Sequence, residues 1–155
     1  MKTQVWAHRG ASAYAPENTL EAFRLAAEMG ADGVELDVQL SRDGKLVVAH
    51  DETIDRVSNG TGYIKDYTLA QLKKLSFNRL FPDFKDARIP TLKEVYELLK
   101  PAGLTVNVEL KTGIILYPEI EEKVLALTAS MGMEDRVIYS SFCHPSLVRL
   151  KELDS

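Results

Sequence analysis

Apolar and polar positions change rhythm along this chain, and the changes separate strands from helices. Val5 to His8 is a short apolar run that ends at Arg9-Gly10. Beyond a loop through Pro16, Leu20, Phe23 and Ala27 fall on one helical face, Asn18 and Glu21 have capping-box spacing, and Gly30 supplies a stop. Gly33 to Leu40 reads as a second strand. The turn at Asp43-Gly44 leads into a short apolar strand, Leu46 to Ala49, that ends at His50. The stretch 51–90 breaks the rhythm: it holds the loop Asn59-Gly60-Thr61-Gly62, a short helix opened by Thr68 and Gln71, and Phe77, Phe81 and Phe84 around Pro82. The expectation is a small insertion whose aromatic residues pack on one another, the other reading being that they line a substrate entrance.

Regularity returns at Thr91, which with Glu94 caps a helix expected to end at Pro101. Thr105 to Leu110 is a strand, Pro118 is placed as the first residue of a helix running to Met131, Arg136 to Ser141 is a strand, and Pro145 opens a last helix. Strand and helix thus alternate four times, which predicts parallel strands joined by right-handed crossovers. The expected fold is α/β, with 1–155 as a single domain.

Parallel strands are covered on both faces and normally read as continuous apolar runs. Two strands here depart from that. Val34, Leu36, Val38 and Leu40 alternate with Glu35, Asp37 and Gln39; Val106, Val108 and Leu110 alternate with Asn107, Glu109 and Lys111. Side chains two apart share a face, so Glu35 and Asp37 point the same way, as do Glu109 and Lys111. An unpaired buried carboxylate costs about several kcal/mol, so three that converge need cations. Their all-oxygen chemistry suits Mg²⁺ or Ca²⁺ rather than zinc. An antiparallel sheet with one wet face would give the same alternation and need no metal. His8 and His50 each fall at a predicted C-terminal strand end, where α/β folds build their sites. Arg9 offers a fork for an anionic oxygen, or else a surface ion pair. His144 reads as structural or exposed, and Cys143 has no activating neighbour in sequence.

Composition narrows the classes. The 155 residues are 45% apolar and 27% charged, and 19 basic against 23 acidic residues give a net charge of −4. No basic run stands out, which argues against a nucleic-acid partner. The apolar runs are too short to insert stably in a membrane, and Met1 to Trp6 has no signal-peptide character. The single cysteine fits a reducing compartment, so the expected location is cytoplasmic.

Taken in order, His8-Arg9-Gly10, Pro16-Glu17-Asn18-Thr19, Glu35-Leu36-Asp37, Asp43-Gly44, His50-Asp51, Asn59-Gly60-Thr61-Gly62, Ile89-Pro90-Thr91-Leu92, Glu109-Leu110-Lys111 and Ser140-Ser141-Phe142 resemble the glycerophosphodiester phosphodiesterase family. Each motif is weak alone; the ordered set spans nearly the whole chain. The resemblance implies a TIM-type (β/α) barrel, of which only about the first four βα units are present. It implies Glu35, Asp37 and Glu109 as ligands of a divalent cation, Mg²⁺ or Ca²⁺. It further implies His8 and His50 as the acid/base pair, Arg9 and Lys111 as contacts to the phosphoryl group, and Glu17 in the first loop or at the substrate. The activity implied is metal-dependent hydrolysis of a small glycerophosphodiester to glycerol 3-phosphate and an alcohol.

A full barrel takes about 250 residues, and every implied site residue lies between His8 and Lys111. The expectation is a fragment of a longer enzyme. Alternatives are a homo-oligomer, pairing with a missing C-terminal half, or an open half-barrel that binds metal or glycerol phosphates without turnover. A phospholipase-type phosphodiesterase is the neighbouring enzymatic reading.

Overall fold

The computed structural model describes residues 3–154. Its order is β1 (Trp6–His8), α1 (Leu20–Glu28), β2 (Gly33–Leu40), β3 (Leu46–Val48), α2 (Leu69–Leu72), α3 (Leu92–Ala102), β4 (Thr105–Leu110), α4 (Ile120–Ser130), β5 (Val137–Ser140) and α5 (His144–Leu153). Strands β1, β2, β4 and β5 lie side by side in that order, and every pairing among them is parallel. This is half of a (β/α) barrel, left open. The outer edges of β1 and β5 have no strand partner among the described residues, and Val5, Ile138, Phe142 and Val148 stand exposed.

The core follows from strand parity. Val34, Leu36, Val38, Val106, Val108 and Leu110 point toward the helices and are buried with Phe23 and Ala26 of α1, Val95, Tyr96 and Leu99 of α3, and Ile120 and Val124 of α4. The opposite face carries His8 beside Glu35, Glu35 beside Asn107, and Asp37 beside Glu109. The helices therefore claim the apolar side of the sheet, and the polar side faces the interior that a closed barrel would enclose.

Strand β3 runs antiparallel to the far end of β2, pairing Leu40 with Leu46 and Val38 with Val48. The expectation that His8 and His50 occupy equivalent strand ends is corrected by this. Strand β2 overshoots the rim, and β3 doubles back along the overshoot, so that Ala49 N donates to Asp37 O at 3.0 Å. The reversal returns His50 to the level of Asp37.

Residues 51–90 form a second cluster, in which Ile54, Ile64, Leu72, Phe77 and Ile89 pack on Val47 and Ala49 of the hairpin. The aromatic residues divide: Phe77 joins this cluster, while Phe81 and Phe84 meet edge to face at 6.2 Å.

Three helix boundaries differ from the sequence reading. Helix α1 is capped by Thr19, whose hydroxyl accepts from Ala22 N, so Asn18 is released from capping and takes a left-handed φ of 56°. Helix α3 is capped by the expected box of Thr91 and Glu94 but continues through Pro101 to a left-handed Gly103. Proline removes one hydrogen bond there, a loss that the last turn tolerates because little helix follows. Helix α4 starts at Ile120, two residues after Pro118, because Glu119 is left-handed at the cap.

Two successive left-handed residues, Arg9 at φ 59° and Gly10 at φ 79°, turn the chain away from β1. A side chain at Gly10 would meet the Ala22 carbonyl carbon at 2.7 Å and its Cβ at 2.8 Å. Gly10→Ala should therefore lower stability by about 1–3 kcal/mol in a denaturant titration. Gly30→Ala shares the positive φ but meets nothing within 4 Å, so its loss should be smaller. Equal losses would show that the approach to α1 is not what demands glycine.

Candidate active site

The interior face of β2 presents Glu35 and Asp37 together, and the parallel register sets Glu109 of β4 directly beside Asp37. One carboxylate oxygen from each of the three residues lies within 4.8 Å of the others. Asp37 is only 1% exposed. Burial raises its carboxyl above the ordinary range, against the pull of Asn18, His50, Arg9 and Lys111. Burial, reinforced by the charge of Asp37, pushes Glu35 up to about 7. Like charges crowded in a poorly solvated place make such shifts.

Hard, convergent oxygen donors whose ionised forms repel one another fit a divalent cation, which would hold them deprotonated. Glu35, Asp37 and Glu109 are the residues that would hold it. The structure thus brings together the three ligands expected from the sequence.

Cationic side chains border the cluster. Lys111 Nζ donates to Glu109 Oε1 at 3.2 Å and lies 3.9 Å from Asp37 Oδ1. Arg9 Nη1 donates to Glu17 Oε1 at 3.2 Å, and its Nε is 3.6 Å from Asp37 Oδ2. The Arg9 backbone N–H donates to the Glu35 carbonyl at 3.0 Å, so the left-handed turn fixes the guanidinium at the rim. His8 Nε2 is 3.7 Å from Glu35 Oε2, and its side chain is 69% exposed.

His50 is tied differently. Its Nδ1 meets Asp51 Oδ1 at 2.7 Å. The second oxygen of Asp51 accepts from Arg56 Nε at 2.7 Å, and Arg56 forks onto both oxygens of Glu17 at 2.8 Å. A continuous ion-pair chain therefore runs from Arg9 through Glu17, Arg56 and Asp51 to His50. Arg56 holds the carboxyls of Glu17 and Asp51 below their ordinary range even though burial works the other way.

Several partners were not identified as site residues from the sequence. Asn18 is buried and donates to Asp37 Oδ2 at 2.9 Å; its capping-box spacing concealed this. Asn18 Oδ1 and Arg9 Nε are buried without a hydrogen-bond partner among the described residues. Arg56 lies in the irregular stretch, where periodicity carries no information. Asp51 stood in a quoted motif without a role. Of the remaining histidine and the cysteine, His144 is exposed and Cys143 is half-buried, both at the start of α5.

Fold and site together define a partial (β/α) barrel with a tricarboxylate cation site at the C-terminal rim of its strands. The model of the glycerophosphoryl diester phosphodiesterase family matches residues 8–155, and the chain belongs to that family. It is 54% identical over 154 residues to a glycerophosphodiester phosphodiesterase of Caldanaerobacter subterraneus subsp. tengcongensis, a match that covers 99% of this chain and 63% of the relative. The crystal structure of a glycerophosphodiester phosphodiesterase from Agrobacterium tumefaciens superposes with a TM-score of 0.89 at 39% identity, covering 97% of this chain and 63% of the other. A phosphodiesterase of Oleispira antarctica, solved in complex with the product sn-glycerol-3-phosphate, gives 0.84 at 36% identity, covering 97% and 62%. The chain thus spans less than two thirds of the length of these relatives.

Glu35 links the cluster to pH. Its folded-state pKa is raised, so its contribution to stability is complete below the ordinary carboxylate range and is lost as pH rises through about 7. The depressed carboxyls Glu17 and Asp51 act oppositely: their contribution is lost only when pH falls through their lowered values. In chelator, raising the pH from about 5 to about 8 should lower the melting temperature. Added Mg²⁺ or Ca²⁺ should raise it markedly at the upper pH and little at the lower, because a proton must leave Glu35 before a cation binds. A cation-induced shift equal at both values would contradict this link.

Proposed function

We propose that this chain carries the catalytic half of a metal-dependent hydrolase that cleaves glycerophosphodiesters to glycerol 3-phosphate and an alcohol. The observation that carries the reading is the tricarboxylate cluster around the buried Asp37, with His8 and His50 beside it and Arg9 and Lys111 at its rim. Family membership and the product bound to the Oleispira relative support the substrate class.

A bound divalent cation, Mg²⁺ or Ca²⁺, supplies Lewis-acid stabilisation of phosphoryl charge. The chain's own residues do the rest. Arg9 and Lys111 offer N–H donors to the phosphoryl oxygens, and Glu17 holds the Arg9 guanidinium in place. Asp51 holds His50 through Nδ1, which leaves Nε2 to take or give a proton. One histidine accepts the proton of the attacking hydroxyl, and the other protonates the departing alkoxide. Residues 1–155 act in this reading as one domain. Residues 51–90 are an insertion that supplies Arg56 and so braces His50. The working location is cytoplasmic; among the described residues, no helix is long and apolar enough to cross a membrane.

The open edges of β1 and β5 favour a companion reading, in which further strands complete the barrel, supplied by a second copy or by a C-terminal half. Unpaired strand edges beside exposed apolar side chains are unstable toward association.

Glycerol 3-phosphate release from glycerophosphocholine, followed with Mg²⁺, with Ca²⁺ and with chelator, tests the reading. Release is expected only with a divalent cation, and His50→Ala or His8→Ala should slow it by about 10²–10⁴. Turnover unchanged by both substitutions would overturn the acid/base assignment.

A further inference from the structure

The interior face of β2 continues past Glu35 and Asp37 to a third polar residue. Gln39 is fully buried and turns away from the carboxylates to the chain on either side of His50. Its Nε2 meets the backbone carbonyls of Ala49 at 2.9 Å, His50 at 3.1 Å and Asp51 at 2.8 Å. A primary amide has two N–H bonds, so two protons are shared among three acceptors. Its Oε1 accepts from Tyr117 Oη at 2.8 Å. Tyr117 is itself buried, in the loop that follows Lys111. Every polar atom of the Gln39 side chain is thus engaged, and none of its partners belongs to the cation cluster.

We propose that Gln39 is the positioning residue for His50, and that Tyr117 locks it in place. The inference rests on the reading of His50 as an acid/base group. The short strand that doubles back ends at residue 48; past it Ala49 N still donates to Asp37 O, but among the described residues no backbone–backbone hydrogen bond holds residues 50 and 51. One amide that gathers three successive carbonyls takes the place of such bonds and fixes the backbone from which the His50 ring projects. Asp51 then sets the rotation of the ring, and Gln39 sets where its backbone stands. Tyr117 couples that segment to the loop bearing Lys111, so both flanks of the cation cluster share one buried anchor. Replacing Gln39 with an apolar residue would leave three carbonyls and a tyrosine hydroxyl short of a partner inside the protein.

Imidazole nitrogen–proton NMR on the full 155-residue chain in chelator, below its melting transition, reads this without depending on turnover. The native chain should show His50 in one tautomer, its Nδ1–H slowly exchanging against Asp51. Gln39→Met keeps length and volume and removes the donors; it should abolish the slow proton and broaden the His50 signals, with the His144 signals unmoved. Tyr117→Phe keeps the Gln39 amide and removes only its lock, so the His50 proton should exchange faster while remaining visible. This milder variant decides the matter if Gln39→Met fails to fold. A purely structural Gln39 would lower the melting temperature and leave the His50 signals of the folded chain as they were, and that result would overturn the proposal. Failure of the functional reading looks different: His50→Ala would then keep its hydrolytic rate while the effects on the ring signals persisted.

Discussion

Three carboxylates held within a few ångströms of one another, one of them almost completely buried, set the conditions that the rest of this half-barrel meets. The period-two alternation of β2 and β4 and their parallel register create the crowding; no loop is needed. Such an arrangement repels itself unless counter-charge is close, and the chain places that charge at each side. Lys111 comes from just past the strand that carries Glu109. Arg9 comes from a left-handed turn, and the neutral Asn18 adds a hydrogen bond to Asp37 from a position the helix cap has released. What remains unbalanced is what a divalent cation would neutralise, so electrostatic need and chemical purpose coincide in one place.

The histidines are held by unequal means. His8 projects from the end of β1 and is largely open to solvent. His50 is fixed by the return stroke of a hairpin, by Asp51, and through Asp51 by Arg56 and Glu17. The irregular stretch 51–90 therefore contributes more than its own small core: Arg56 lets it share in the rim of the main sheet. Closed, fork-like ion pairs of this kind are worth more than isolated surface pairs because several charges restrain one another.

Much of this was legible in the sequence, for physical reasons that also mark where legibility stops. Glu35, Asp37 and Glu109 could be grouped because strand periodicity is strict and parallel strands seldom alternate. His8 could be placed because it ends a strand. His50 reached the right place by a different route: its strand is antiparallel, and only the overshoot of β2 makes the two ends meet at one level. Asn18, Arg56, Gln39 and Tyr117 were out of reach as site residues. Their roles depend on contacts between residues 12 to 78 positions apart, and no local pattern encodes them. The cap of α1 shows the limit well. Asn18 and Thr19 both suit an N-cap, and the choice between them was decided by Asp37, which lies outside the helix.

Because β3 is measured back from the turn at Asp43-Gly44, the hairpin works as a ruler. Its zero is the turn, and its mark is His50. Lengthening or shortening that turn by one residue would shift the register, and in a strand a shift of one reverses which face every side chain occupies. Val47 and Val48 would exchange neighbours, and the histidine would swing from the carboxylates toward the helices. Every charged side chain of the site would still be present. A tally of the carboxylates, histidines and cationic side chains would score such a chain as intact, yet its geometry would be broken by a change at a surface turn that contains none of the site residues.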